Sequence, residues 1–185
     1  VLVPTRELAQ QVDSVFKQFA QAMEKRIKTL AVFGGVSINP QMISMQNVHV
    51  LTATPGRLLE LLKNKALQLS DVETLILDEA DKMLDMGFYD DLMNIISKTP
   101  KEKQGLLFSA TMPPKIRELS KRILHDPTEI TISISKPAEG ITQQAYNTHD
   151  YQKLPLIEAL LKSNSYQSGI IFSSTKDKVK ELDKA

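Results

Sequence analysis

A chain of 185 residues exceeds one typical domain of about 100–150 residues and falls short of two, and 42% hydrophobic residues suffice for a core. Lysine and arginine number 23 against 22 aspartates and glutamates; a net charge of +1 attracts no polyanion globally, so any nucleic-acid contact has to be local. The lack of cysteine excludes disulfides and thiolate metal sites, and no apolar run approaches the roughly 20 residues that span a bilayer, so a soluble, cytoplasmic protein is expected.

Residues 1–3 predict a strand running into Pro4 and Thr5. Thr5 can cap a helix whose apolar positions Leu8, Val12, Val15, Phe16, Phe19 and Met23 share one face. Residues 29–33 predict a second strand, ending at Gly34-Gly35, a doublet that suits either a plain turn or the close approach of another backbone. A third strand is expected at 48–51. Thr54-Pro55-Gly56-Arg57 follows, with Thr54 suited to an N-cap and Pro55 to the first helical position, and the helix continues through Leu58, Leu59, Leu61 and Leu62.

Residues 74–77 are too few for a helix and do not alternate, which predicts a strand buried on both faces of a parallel sheet. Ligands bind beyond the carboxyl ends of such strands, so Asp78 and Glu79 belong at a site rim, with simple capping by Asp78 as the alternative. Met83, Leu84, Met86 and Phe88 follow at mixed spacing, the methionines as core filling, and 89–97 predicts a short helix. Residues 105–108 predict another buried strand, ending in Ser109-Ala110-Thr111; Pro113-Pro114 then opens a helix through Ile116, Leu119, Ile123 and Leu124. Strands alternating with amphipathic helices predict an α/β domain with a parallel sheet.

One more strand is expected at 129–133, closing a domain over 1–134. Ser135-Lys136-Pro137-Ala138-Glu139-Gly140 gathers turn residues as a linker. From 141 the alternation restarts: a strand to about 148, a helix with Leu154, Ile157, Leu160 and Leu161, a strand at 169–172, and Ser173-Ser174-Thr175 capping a last helix. Residues 141–185 therefore read as the beginning of a second α/β domain. The first residue is not an initiator Met and the last falls inside a helical pattern, so both ends read as cut.

These strand tips resemble the motifs of the DEAD-box RNA helicases. Pro4-Thr5-Arg6-Glu7-Leu8-Ala9 is similar to motif Ia, Gly34-Gly35 to the glycine doublet, Thr54-Pro55-Gly56-Arg57 to motif Ib, Asp78-Glu79-Ala80-Asp81 to motif II and Ser109-Ala110-Thr111 to motif III. Residues 170–175, ending in Thr175, are a looser match to motif IV. The resemblance implies a RecA-like first domain, the start of a second, ATP and Mg2+ as cofactors and RNA as partner. It implies that Asp78 holds Mg2+ through water, that Glu79 orients the attacking water, and that Asp81 hydrogen-bonds Ser109 and Thr111. Capping of the helix after Pro113 is the alternative for those two hydroxyls. Pro4, Thr5, Arg6, Gly34, Gly35, Thr54, Pro55, Gly56, Arg57 and Thr175 would contact the RNA backbone, a role their chemistry suits because helix N-termini with free amides attract phosphate without reading bases.

The sequence departs from the family in having no G-x-x-x-x-G-K-[ST] phosphate loop, no adenine-selecting glutamine motif and no arginine motifs of a second domain. No ATPase is expected from these residues alone, and loss of a mid-sheet strand would leave two apolar edges unpaired. Rival readings are a non-catalytic RNA-binding or regulatory module, which has no need of two carboxylates, and a related DNA translocase.

Overall fold

Residues 1–3 form the middle of a parallel sheet in the computed structural model, which describes residues 1–132, 140–163 and 166–184. Leu2 donates its amide to Ile76 at 2.7 Å and accepts from Asp78 at 2.9 Å. On the opposite side Val3 donates to Ala53 at 3.0 Å and Ala53 to Val1 at 2.9 Å. Leu2 and Val3 are buried, as a strand covered on both faces must be. The outer strands are β1 (Thr29–Val32) beside β2 (Val50–Ala53), and β3 (Thr74–Leu77) beside β4 (Gln104–Leu107), each pair parallel. Leu2 pairs with both Ala53 and Leu77, so the order across the sheet is β1, β2, residues 1–3, β3, β4. Among the described residues the sheet is continuous, and its open edges are the outer sides of β1 and β4.

Each strand leads toward a helix: residues 1–3 into α1 (Arg6–Gln21), β1 into α2 (Asn39–Ser44), β2 into α3 (Pro55–Lys63), β3 into α4 (Ala80–Asp85) and α5 (Tyr89–Ile96), and β4 into α6 (Pro114–Ile123). Parallel strands with this connectivity bring all five tips to one rim. Thr5 caps α1 as expected, accepting the Leu8 amide at 3.2 Å. The face that α1 turns to the sheet differs from the predicted stripe: Ala9 and Asp13 are buried, while Val15, Phe19 and Met23 are exposed. A helix lying against β1 and β2 needs small residues at the closest approach, and Ala9 sets that line.

Leu58, Leu59 and Leu61 of α3 are buried, and α3 packs on α5, whose Leu92 and Ile95 are also buried. Ile116, Leu119 and Ile123 of α6 join the same core. Gly105 lets the end of α6 approach β4, since a Cβ there would lie 2.8 Å from Leu124 Cδ2 and 3.4 Å from the Ile123 carbonyl. Of the two methionines expected in the core, Met83 is buried and Met86 is exposed.

The chain divides into two compact units, Val1–Ile130 and Thr131–Ala185. Most of the expected linker, 135–139, lies outside the described residues, as does Ser133. The second unit contains α7 (Asp150–Ser163) and α8 (Lys176–Lys184). Asp150 is bonded by Lys153 at 2.6 Å and lies 3.6 Å from Lys178, and these lysines hold its carboxyl below the ordinary aspartate range. The strands expected at 129–133, 141–148 and 169–172 are not formed among the described residues, and Ile170 and Phe172 are 82% and 91% exposed. An apolar run becomes a strand only beside a partner that takes up its backbone groups, and these runs have none among the described residues.

Candidate functional site

At the β3 tip, buried Leu77 is followed by half-buried Asp78 and Glu79. Glu79 adopts left-handed backbone geometry (φ 51°, ψ 48°), sparsely populated by residues other than glycine, which marks a tip held against its own preference. Its amide donates to Asp78 Oδ1 at 2.9 Å, and Lys82 Nζ donates to Glu79 Oε1 at 2.8 Å. That bond first, helped by the charges of Glu79, Asp81 and Asp78, raises the Lys82 pKa against the opposing effect of desolvation.

The β3 and β4 tips are tied together. Ala80 donates its amide to the Phe108 carbonyl at 3.0 Å, and Asp81 donates its amide to Ser109 Oγ at 3.2 Å. Asp81 Oδ2 accepts both the Thr111 hydroxyl at 2.8 Å and the Thr111 amide at 3.0 Å, while Oδ1 accepts the Lys82 amide. Partial burial acts to raise the Asp81 pKa, but the bonds from Thr111, Lys82 and Ser109 outweigh it and hold the carboxyl below its ordinary value. The capping alternatives fall away here: the N-cap residue of α6 is Pro113, that of α4 is Glu79, and neither helix has a side-chain cap bond.

Among the described residues no three His, Asp or Glu side chains cluster as a metal site. Asp78, with Oδ1 engaged by one amide, suits Mg2+, which uses one or two carboxylates, keeps waters and takes its remaining oxygens from phosphates. A shallow cleft of about 800 Å3 lies elsewhere, between α1 and Lys28, Thr29 and His49.

The other tips have a different character. Gly35 has φ +80°, which explains its identity, whereas Gly34 and Gly56 lack positive φ and a Cβ at either would meet nothing within 4 Å. Thr54 holds the N-cap of α3 with Pro55 at its first turn, and its hydroxyl makes no cap bond. Pro4 is buried, and the Arg6 guanidinium lies 5.2 Å from the centre of the Phe33 ring. Arg57 is only 7% exposed. Its Nε donates to Glu60 at 2.9 Å, its Nη2 to the Val36 carbonyl at 2.7 Å, and Nη1 is buried without a partner. Thr175 belongs to the second unit, where it caps α8 by accepting the Lys178 amide at 3.2 Å.

Read across the rim, the tips run Gly34-Gly35, Thr54-Pro55-Gly56-Arg57, Pro4-Thr5-Arg6, Asp78-Glu79-Ala80-Asp81 and Ser109-Ala110-Thr111. Residues 1–119 match the family model described as DEAD/DEAH box helicase. The chain belongs to that helicase family. It is 39% identical over its whole length to an ATP-dependent RNA helicase, CshA, of Listeria monocytogenes, covering 36% of that protein. It is 41% identical over 98% of its length to the RNA helicase CrhR of a Synechocystis species, covering 37%. Among solved structures, a DEAD box protein from the hyperthermophile Methanococcus jannaschii matches 99% of the chain and 49% of its own, with a TM-score of 0.67 and 37% identity. A hypothetical ATP-dependent RNA helicase from Sulfolobus tokodaii matches 68% of the chain and 37% of its own, at 0.64 and 39%. The chain thus spans little more than a third of the length of these curated relatives. No helix among its described residues is long and apolar enough to cross a membrane.

Three contacts of the rim were not anticipated from the sequence. Lys82 and Glu60 sit three residues from Glu79 and Arg57, a spacing that places partners on one helix face and could have signalled both pairs. Gln41 accepts the Phe33 amide and donates to the Phe33 carbonyl, each at 3.2 Å, from a helix too short to announce itself by periodicity.

Proposed function

We propose that this chain is part of an ATP-dependent RNA helicase, in which the β3–β4 side of the rim serves ATP hydrolysis and the side formed by β1, β2 and residues 1–3 holds the RNA sugar-phosphate backbone. The order of the five tips carries the reading, because it groups the three phosphate-attracting tips together and sets the carboxylate and hydroxyl tips beside them.

Asp78 would hold Mg2+ through water, and the ion when bound neutralises charge on the ATP phosphates. Glu79, raised at the tip by its left-handed backbone, would orient the attacking water, with Lys82 fixing its carboxylate. Asp81 would pass any shift of the β3 tip to Ser109 and Thr111, coupling hydrolysis to movement. On the RNA side, the N-termini of α1 and α3 offer amides to phosphate. The missing Cβ atoms of Gly34 and Gly56, which neither packing nor backbone geometry requires, leave room for a ribose-phosphate chain. Arg6 would face phosphate directly, and Arg57 would act through Val36. Such contacts hold a strand without reading its bases.

We read 141–185 as the start of a second RecA-like domain, with Thr175 its first RNA contact and 135–140 as linker, since the likeness to longer helicases runs through this region. We propose a cytoplasmic location, where ATP and RNA are both at hand. The test is hydrolysis by the full-length polypeptide with and without RNA. RNA-stimulated turnover is expected. RNA binding without turnover would favour a regulatory module, stimulation by DNA alone a translocase, and indifference to RNA would end this reading. The isolated 185-residue chain, whose sequence holds no phosphate loop, is expected to show no turnover.

A further inference from the structure

Gln41 is nearly buried, 9% exposed, and a buried amide is costly unless bonded. Both of its polar ends are spent on one residue: Oε1 accepts the Phe33 amide and Nε2 donates to the Phe33 carbonyl. The side chain thus takes up both backbone groups of the residue that immediately precedes Gly34-Gly35. At the far side of the doublet the Val36 carbonyl accepts from Arg57 Nη2 at 2.7 Å. The glycines are clamped from both flanks, while the space over them stays open.

We infer that Gln41 is a positioning residue for RNA: by fixing Phe33 it holds the Gly34-Gly35 loop in the one shape that admits a sugar-phosphate backbone. The inference rests on the proposed reading of this side of the rim. Two adjacent glycines have more backbone freedom than any other pair, so an unclamped doublet spreads over many conformers. Apparent affinity falls in proportion to the fraction that remains competent. Gln41 touches no reacting group, so its loss acts on RNA affinity and leaves the chemical step of the RNA-saturated enzyme in place.

The experiment uses the full-length polypeptide with saturating ATP and a titration of single-stranded RNA. Gln41→Met keeps the shape and removes both bonds, and it is expected to raise the RNA concentration for half-maximal hydrolysis about tenfold, equivalent to about 1.4 kcal/mol. kcat at saturating RNA stays within about twofold. Gln41→Glu keeps an acceptor for the Phe33 amide and is expected to fall between the two. If the unsubstituted protein does not respond to RNA, the functional reading fails and this inference with it. If it responds and Gln41→Met has the same half-saturation, the inference alone fails. Parallel losses of kcat, RNA affinity and melting temperature in both variants, or loss of folding in both, would make Gln41 a core residue only and overturn it as well.

Discussion

The two sides of the rim are built differently. On the β3–β4 side the bonds run through ionisable groups, Lys82 to Glu79 within the β3 tip and Thr111 to Asp81 from one strand tip to the next. On the β1–β2 side the bonds that hold the loop after β1 end on backbone, Gln41 on Phe33 and Arg57 on Val36, with one ion pair, Arg57 to Glu60, inside α3. The first side keeps charge available where a reaction needs it and can pass on a displacement. The second encloses its cation, with Nε and Nη2 bonded and Nη1 left without a partner, and presents amides and empty space. If the rim turns over ATP and holds RNA as proposed, it gains from that division.

The largest effect expected from breaking it is at Glu79. Glu79→Gln keeps the shape of the side chain and removes the charge proposed to orient water, so kcat of the full-length protein should fall at least about 100-fold. ATP and RNA should still bind. Near-normal turnover would remove Glu79 from the chemistry, and loss of ATP binding would point to a structural role instead.

A smaller effect is expected at the link between tips. Thr111→Val removes the 2.8 Å bond to Asp81 at nearly constant volume, a loss of about 1 kcal/mol or roughly fivefold. Duplex unwinding per ATP hydrolysed should drop by that factor while hydrolysis itself changes little. Equal losses in both rates would mean that motif III serves the chemistry rather than its transmission. The same bond sets a pH dependence. The folded-state pKa of Asp81 lies below its unfolded value, so its stabilisation is complete above the ordinary aspartate range and disappears as pH falls through the lower, folded value. The melting-temperature difference between the unsubstituted protein and Thr111→Val should therefore hold from neutral pH to about pH 5 and shrink in stronger acid. A difference unchanged in acid would show that Asp81 is not the acceptor that matters.

The parts legible in the sequence were those fixed by local chemistry. Residues 74–77 could be assigned to a buried parallel strand because a threonine and three successive apolar residues between turn signals have few other uses, and Asp78 and Glu79 followed at its tip. Leu58, Leu59, Leu61, Ile116, Leu119 and Ile123 showed their burial through helical spacing. What depended on distant neighbours was not legible. Residues 169–172 have the same apolar character as 74–77, yet without a partner strand among the described residues they form no ladder. Arg57 reads as a surface cation until α3 is placed beside the loop after β1, where Val36 and Glu60 enclose it. Gln41 carried no signal at all, because the groups it satisfies lie eight residues upstream and on the backbone.

The subtlest expected effect separates Arg6 from Arg57, two arginines that the motifs present as equivalent. Arg6 is exposed and stacked near Phe33, free to neutralise a phosphate. Arg57 is enclosed, so its loss should act on the loop and not on counterions. Arg57→Ala removes a buried side chain together with its bonds to Val36 and Glu60, and about 2 kcal/mol of stability should go with it, accompanied by weaker RNA binding. The slope of log affinity against log salt should stay as it was. Arg6→Ala should leave the melting temperature nearly unchanged and flatten that slope by about 0.7, the contribution of one phosphate contact on a single strand. Salt titrations of the two full-length variants decide the matter, because overall affinity falls in both and only the slope distinguishes them. A flattened slope in Arg57→Ala would mean that its guanidinium leaves Val36 for a phosphate when RNA arrives, and the contrast between the two sides of the rim would then hold only for the unbound protein.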